Sequence, residues 1–325
     1  MGIKTMKILV TGAAGSLGQC LVKKLILDPS IEVYATDIKK NPFPDTANLH
    51  YQAFDLREEA FTQWVEATKP AQVIHLASIL QLSANMSRKQ AHEIDVQATE
   101  QLIKTCLLIA VDKFTITTSG AVYGYYEENK NIITEDREIR GNPDYFYSAH
   151  KAEVETIMEQ YRISHPQLKQ LIFRPGAILG PDFKGPVVDL FQQKFITGLM
   201  GYPSPFNFIW SEDVADFMIE GVSSDITGEY NIAGDGALSM AEIAKKLDKF
   251  YLALPASLIK IILSIAKPLG LTQYGPEQVK FIKYRPVLSN DKIKARFNHQ
   301  PRYSSSEVID AFLESQNSGE NHVAS

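Results

Sequence analysis

Thr11-Gly12-Ala13-Ala14-Gly15-Ser16-Leu17-Gly18 follows the apolar run Ile8-Leu9-Val10 and opens a helix-like segment from Gln19 to Leu27. A buried strand, a glycine turn and a helix start, in that order, make a phosphate site. Gly12 allows the tight turn, Gly15 removes a side chain that would block a pyrophosphate, and Gly18 lets the helix pack closely on the strand. The free N–H groups of the first helical turn then face the phosphates. A plain strand–turn–helix with no ligand gives the same glycine spacing.

The segment Glu32-Val33-Tyr34-Ala35-Thr36-Asp37 is expected to be the second strand, with Asp37 ending it. A carboxylate there accepts hydrogen bonds from ribose hydroxyls and repels a 2′-phosphate, which favours NAD over NADP. Lys39 and Lys40 follow and are able to hold a phosphate; a turn-forming Asp is the plainer alternative.

Composition sets the class. The 325 residues are 45% hydrophobic and 22% charged, enough for a nucleotide-binding unit and a smaller appended lobe. Net charge is −5, and no basic stripe with interleaved aromatics stands out, so nucleic acid is not expected as a partner. Cys20 and Cys106 lack metal-ligand spacing, so no metal is expected, and two buried thiols suit a reducing, cytoplasmic setting. A signal peptide has no room before the first strand, and no apolar run reaches membrane-spanning length.

Further along, strands are expected at 49–54, 73–77 and 113–118, with a long amphipathic helix over 86–109, a helix capped by Ser211 running to Gly221, and a Ser239–Glu242 capping box opening the next. Asp55 either meets an adenine edge or caps the helix that runs to Thr68, and both can hold. Strand–helix alternation without repeats predicts an α/β fold, a doubly wound parallel (Rossmann) sheet with a smaller, mostly C-terminal lobe. The expected division is 1–179 for the nucleotide unit and 180–313 for the second lobe, returning to the sheet near 207–233. A polar, disordered tail is expected over 314–325.

Two stretches carry chemistry: Thr117-Thr118-Ser119-Gly120-Ala121-Val122-Tyr123-Gly124 and Tyr147-Ser148-Ala149-His150-Lys151. A spacing of four puts Tyr147 and Lys151 on one helical face, where an ammonium lowers a phenol's pKa and suits it to exchange a proton with a substrate hydroxyl. Lys151 is also placed to bond a nicotinamide ribose, and Ser119 to hold the substrate oxygen. Taken singly, these are surface neighbours and a backbone-bonded serine.

In chain order, TGAAGSLG at 11–18, HLA at 75–77, SGAVYG at 119–124, YSAHK at 147–151, RPGAILGP at 174–181 and YNIAG at 230–234 resemble the extended short-chain dehydrogenases/reductases of the NAD-dependent epimerase/dehydratase family. The resemblance covers the chain to about Leu313. It implies catalytic roles for Ser119, Tyr147 and Lys151. It places Gly12, Gly15, Ser16, Leu17 and Gly18 around the pyrophosphate, Asp37 and Ile38 at the ribose, Asp55 and Leu56 at the adenine, and Leu76 and Ala77 beside the cofactor. Thr117, Pro175 and Gly176 flank the nicotinamide. Asp95 stands where many members have Asn, while Tyr123 and Tyr145 either line the cleft or make half-buried aromatic contacts. A homodimer through a four-helix bundle is implied, with a small-molecule substrate and no stable membrane insertion.

Departures bear on the substrate. Gly120 and Ala121 replace the Asp–Glu pair of dehydratases, disfavouring elimination. Ala177 replaces a common Asn, and Phe206 an arginine that binds diphosphate. Arg285 is a substitute cation or a solvated or salt-bridged side chain. Nucleotide-sugar epimerisation of a UDP-glucose-like substrate leads. Oxidation of an apolar secondary alcohol, such as a 3β-hydroxysteroid, is the alternative, and a non-catalytic nucleotide-binding protein the third. The apolar segment 252–271, interrupted by Lys260 and Lys267, packs against the lobe, lids the cleft or lies on a membrane surface.

Overall fold

The apolar runs become strands buried on both faces. The structure is a computed structural model that describes residues 5–323 apart from 84, 130, 273 and 274. Its N-terminal elements are β1 Met6–Thr11, α1 Ser16–Leu25, β2 Ile31–Asp37, β3 Leu49–Ala53, α2 Glu59–Thr68 and β4 Gln72–His75. Next come α3 Arg88–His92, a π-helical turn Glu93–Gln97, α4 Ala98–Leu108, β5 Lys113–Thr117, α5 Phe146–Ser164 and β6 Lys169–Pro175. After β7 Ala177–Leu179 follow α6 Pro186–Phe191, β8 Phe195–Leu199, β9 Phe208–Trp210, α7 Ser211–Ser223 and β10 Gly228–Ile232. The chain closes with α8 Met240–Lys246, β11 Phe250–Leu254, α9 Ala256–Ala266, α10 Gln278–Lys283, α11 Asp291–Arg296 and α12 Ser305–Val323.

Seven strands form one parallel sheet in the order β10-β6-β5-β4-β1-β2-β3. The order reverses between β1 and β4, which opens a crevice at the strands' carboxyl ends. The period-2 alternation of a strand divides the core between the two faces. Ile8, Val10, Ile74, Leu171 and Phe173 pack with α1 and α7; Leu9, Val73 and Ile172 pack with α2, α4 and α5. A third core joins Leu179, Phe191, Phe206, Phe208, Trp210, Ile243 and Phe312, where β7 pairs β9.

Several local expectations change. Ser211 is the first helical residue of α7 rather than its cap: Trp210 holds the cap position and no side chain bonds there. Asp55 does not cap α2, whose cap position is Glu58; it bonds the Arg57 N–H and pairs with the Arg57 guanidinium at 2.6 Å. The expected disordered tail is helical to Val323, and positions 324–325 lie outside the described residues. A capping box between Ser304 and Glu307 starts α12, and Val308, Ile309 and Phe312 anchor it. The Ser239–Glu242 box expected for α8 is present. In the 252–271 segment, α9 packs one side through Ile259 and Leu263 against Leu199, Val279 and Ile282. Its other side leaves Leu258, Ile261, Ile262 and Ile265 exposed. Among the described residues no helix is long and apolar enough to cross a membrane.

One buried ion pair ties the sheet to the helix that carries the Tyr–Lys pair. Arg174 at the end of β6 donates to both carboxylate oxygens of Glu155 on α5 from Nε at 3.0 Å, and Thr118 donates to the same carboxylate at 2.5 Å. Both charged side chains are at most 4% exposed. Breaking one half leaves an uncompensated buried charge. Glu155→Leu should lower unfolding free energy by about 3 kcal/mol, read as a reduced urea midpoint at unchanged slope.

Candidate active site

The glycine turn is built as its residues require. Gly12 has φ +68°, and a Cβ there would sit 2.6 Å from the Ala77 nitrogen, so β1 and the loop after β4 approach as only glycine permits. A Cβ on Gly18 would collide with the Gly12 carbonyl. Gly15 occupies the N-cap position of α1 without a capping side chain, and no acidic residue lies in the first turn, which leaves the N-terminal N–H groups open to an anion. Asp37 closes β2 and braces the turn: its carboxylate accepts from the Ala14 N–H at 3.1 Å and the Lys39 N–H at 3.0 Å. Ile38 beside it is exposed. The Ser16 hydroxyl donates to the Asp182 carbonyl at 3.4 Å and accepts from the Lys184 N–H at 3.3 Å, so the loop after β7 folds over the start of α1.

The other sequence candidates lie along the same edge. Asp55 and Leu56 follow β3, Leu76 and Ala77 follow β4, Thr117 ends β5, and Pro175 with Gly176 ends β6. Thr117 Oγ1 and Ser78 Oγ are buried with no partner among the described residues. Buried hydroxyls are normally satisfied, so two orphans at this edge fit a polar group lying across it. The glycine cradle, the bare helix N-terminus, Asp37 and these hydroxyls together suit a dinucleotide.

At the centre, α5 places Tyr147 and Lys151 one turn apart, with the ammonium 5.8 Å from the phenol ring centroid. Lys151 Nζ donates to the Thr117 carbonyl at 3.1 Å. Ser119 follows β5 and accepts the Ala121 N–H at 3.1 Å. The expectation of a phenol depressed by the ammonium is corrected. Burial pushes the Tyr147 phenol well above its ordinary value, and a hydrogen bond from Ser119 pulls it back only in part. Burial likewise depresses Lys151, against the opposing charges of Asp95 and Glu155. In an apolar site each charged form loses more by desolvation than it gains from a neighbour a ring's width away.

Tyr123 is a second correction. It is 1% exposed and belongs to the core. Its hydroxyl donates to Asn231 Oδ1 at 2.7 Å and accepts from Arg174 at 2.9 Å, and burial raises its pKa to about 12. Tyr145 does face Tyr147, with ring centroids 6.1 Å apart, and packs on Phe281 of α10 at 4.7 Å. Tyr125 meets Phe281 at 5.2 Å. Near these rings Arg285 is half-buried and makes no ion pair among the described residues: its guanidinium lies 3.6 Å from the Phe206 ring centroid and its Nε has no partner among the described residues. Burial lowers its pKa, offset by Tyr125 and Tyr145. Gly120 packs against Leu288 and Ala121 is buried, so nothing titratable follows Ser119.

Reading the sequence missed the polar network behind this site. His150 Nδ1 lies 2.9 Å from Asp95 Oδ2, and Asp95 Oδ1 accepts the Ile79 N–H at 2.8 Å. The available signals were Asp95 in place of a common Asn and a histidine directly before Lys151, which sequence spacing does not relate and the π-helical turn brings together.

Residues 8–233 match the NAD dependent epimerase/dehydratase family. The chain belongs to that family. Its sequence is 26% identical over 234 residues to a UDP-glucose 4-epimerase of Mycolicibacterium smegmatis (strain ATCC 700084 / mc(2)155), covering 66% of this chain and 72% of that one. It is 27% identical over 190 residues to the uncharacterized UDP-glucose epimerase YtcB of Bacillus subtilis (strain 168), covering 54% of this chain and 58% of YtcB. The chain therefore spans less than two thirds of YtcB. The fold is similar to that of a Thermus thermophilus UDP-glucose 4-epimerase in complex with NAD, at TM-score 0.74 and 22% identity, covering 96% and 99% of the two chains. It is also similar to MoeE5 in complex with UDP-glucuronic acid and NAD, at TM-score 0.75 and 18% identity, with the same coverage.

Removing the phenol's proton chemistry while keeping its ring gives a direct check. Tyr147→Phe should retain NAD affinity within about threefold by calorimetry and lose at least ~100-fold in turnover. Asp37→Ala should weaken NAD binding and narrow any preference over NADP, measured in the same titrations.

Proposed function

We propose that this enzyme is a nucleotide-sugar epimerase of the UDP-glucose 4-epimerase kind. The observation that carries the proposal is Arg285, a cation held against Phe206 near the aromatic walls, with Nε free to donate. An arginine in a mostly apolar surround is destabilising unless an anion completes it. A nucleoside diphosphate is such an anion, and guanidinium groups suit phosphate oxygens. Phe206, which stands where the family often has an arginine, here supplies the surface on which another arginine stacks.

In this proposal Gly12, Gly15, Ser16, Leu17 and Gly18 hold the pyrophosphate of NAD, and Asp37 and Ile38 its adenosine ribose. Asp55 and Leu56 lie at the adenine, while Leu76, Ala77, Thr117, Pro175 and Gly176 border the rest. Bound NAD supplies a hydride acceptor for the alcohol carbon and, in an epimerase, a donor to its opposite face. Tyr147 first yields its phenol proton to solvent and its phenolate oxygen then takes the proton of the substrate hydroxyl; the Ser119 hydroxyl holds the same substrate oxygen, and Lys151 places its charge behind the ring. Residues 1–179 serve the cofactor, and 180–313 with the return strand serve the substrate.

A second assignment, oxidation of an apolar secondary alcohol, is favoured by Ala177, Phe206 and the ring wall of Tyr125, Tyr145 and Phe281. Pairing through α4 and α5 into a homodimer is supported by Leu108 and Ile163, exposed by 73% and 78% at their carboxyl-terminal turns. Light scattering should give twice the chain mass; a monomer at working concentration contradicts the pairing.

The substrate test compares UDP-glucose, UDP-galactose and a hydroxysteroid with NAD present. Interconversion of the UDP-sugars without net NADH supports the epimerase; stoichiometric NADH from the steroid alone supports the second assignment. Arg285→Leu should raise the Kd for UDP-glucose by roughly 10- to 100-fold, as expected for loss of a charge-assisted contact. The Kd for NAD should be unchanged.

A further inference from the structure

Between Asp248 and Glu277 the chain carries no acidic residue, although the whole protein has a net charge of −5. The charged side chains in that interval are Lys249, Lys260 and Lys267, and α9 lies within it. The apolar residues of α9 make two stripes. Ile259 and Leu263, one turn apart, face inward onto Leu199, Val279 and Ile282. Leu258, Ile261, Ile262 and Ile265 stand at i, i+3, i+4 and i+7, which gathers them on a second face. That face is left in solvent, its four side chains exposed by 42%, 57%, 47% and 57%. The helix runs out in a Schellman turn: Gly270 has φ +69°, its N–H bonds the Lys267 carbonyl at 3.1 Å, and the Leu271 N–H bonds the Ala266 carbonyl at 3.0 Å. The residue after such a glycine commonly packs back on the helix. Leu271 instead is 77% exposed, and Leu269 beside it 66%. Ile259 is the one buried residue of α9, so the element stands out from the lobe as a ridge.

We infer that α9 and the turn after it form a ridge that docks on an anionic lipid surface. The aliphatic face gains by leaving water at the boundary between headgroups and acyl chains, where amphipathic helices lie. Lysines without acidic neighbours in sequence meet the negative potential of anionic headgroups. Lys260 is exposed, and Lys267 pairs with Glu277 at 3.1 Å while 48% of its side chain stays in solvent. Pro255 and Pro268 bound the apolar run, so it lies on the bilayer rather than through it. A fluid surface accepts a protruding ridge, whereas a protein partner needs a groove cut to match. A second copy of the chain is disfavoured on charge and on area. It would bring two segments of like charge together, and at about 1.5 Å per residue the helix is only ~16 Å long, well short of the ~800 Å² that each partner of a stable dimer buries. The ridge is one helix away from the candidate active site. It packs on α10, whose Phe281 meets Tyr145, and Tyr145 faces Tyr147. Docking therefore holds the aromatic wall of the cleft near the lipid, and it does so under either substrate assignment.

The test is flotation of the full chain with vesicles of phosphatidylcholine alone or of equimolar phosphatidylglycerol and phosphatidylcholine. The parent should bind the anionic vesicles at least ~10-fold more tightly than the zwitterionic ones. Ile261→Gln with Ile265→Gln alters only exposed side chains, so NAD affinity and urea midpoint should match the parent's while affinity for anionic vesicles falls at least ~10-fold. Lys260→Gln should weaken binding to the anionic vesicles about fivefold and leave the zwitterionic ones unchanged. Absence of binding to the anionic vesicles, equal binding to both compositions, or binding that survives the double substitution overturns the inference. If the parent binds neither vesicle and the double substitution lowers its mass in light scattering, the ridge is a contact between copies and the inference is equally overturned.

Discussion

A lysine with almost no water around it is the constraint on which the Tyr147–Lys151 half of the molecule depends. Lys151 is 6% exposed, and its Nζ reaches the sheet through the Thr117 carbonyl. A buried charge persists only if opposite charge and hydrogen bonds surround it. The neighbouring architecture meets that need. The Arg174–Glu155 pair fixes α5 against β6, the π turn carries Asp95 inward, and Thr11, His75 and Thr99 connect that turn to the strand before the glycine loop. The Tyr147–Lys151 helix and the strand before the glycine turn are therefore braced by one polar network.

Burial raises Tyr147 and lowers Lys151 together, and the hydrogen bond from Ser119 partly offsets the first. The dry surround makes each such interaction stronger.

Much of this was legible in the sequence because it is local. The glycine turn, the alternation of apolar strands, the capping box at Ser239 and the Tyr147–Lys151 spacing are all short-range patterns with one structural solution. What escaped is long-range. Asp95 and His150 are far apart in sequence and meet only because a π turn rotates one and a helix presents the other. Tyr123 lies in a motif suggestive of a cleft, yet its ring turns into the core to meet Asn231 and Arg174. Asp55 prefers its neighbour Arg57 to the helix that follows. The sequence marks Arg285 as a candidate cation but not its stacking on Phe206, which joins segments that periodicity does not relate.

The central claim is that Tyr147 and Lys151 serve reversible hydride chemistry on a secondary alcohol of a nucleotide sugar. Its most direct test is rapid mixing of the NAD-loaded enzyme with UDP-glucose bearing deuterium at the reacting carbon, followed by nicotinamide absorbance. The expected result is a transient reduced nicotinamide that never leaves the protein and forms more slowly with deuterium than with hydrogen. Sugar turnover with no reduced nicotinamide at any time, and no isotope effect on its rate, would contradict it.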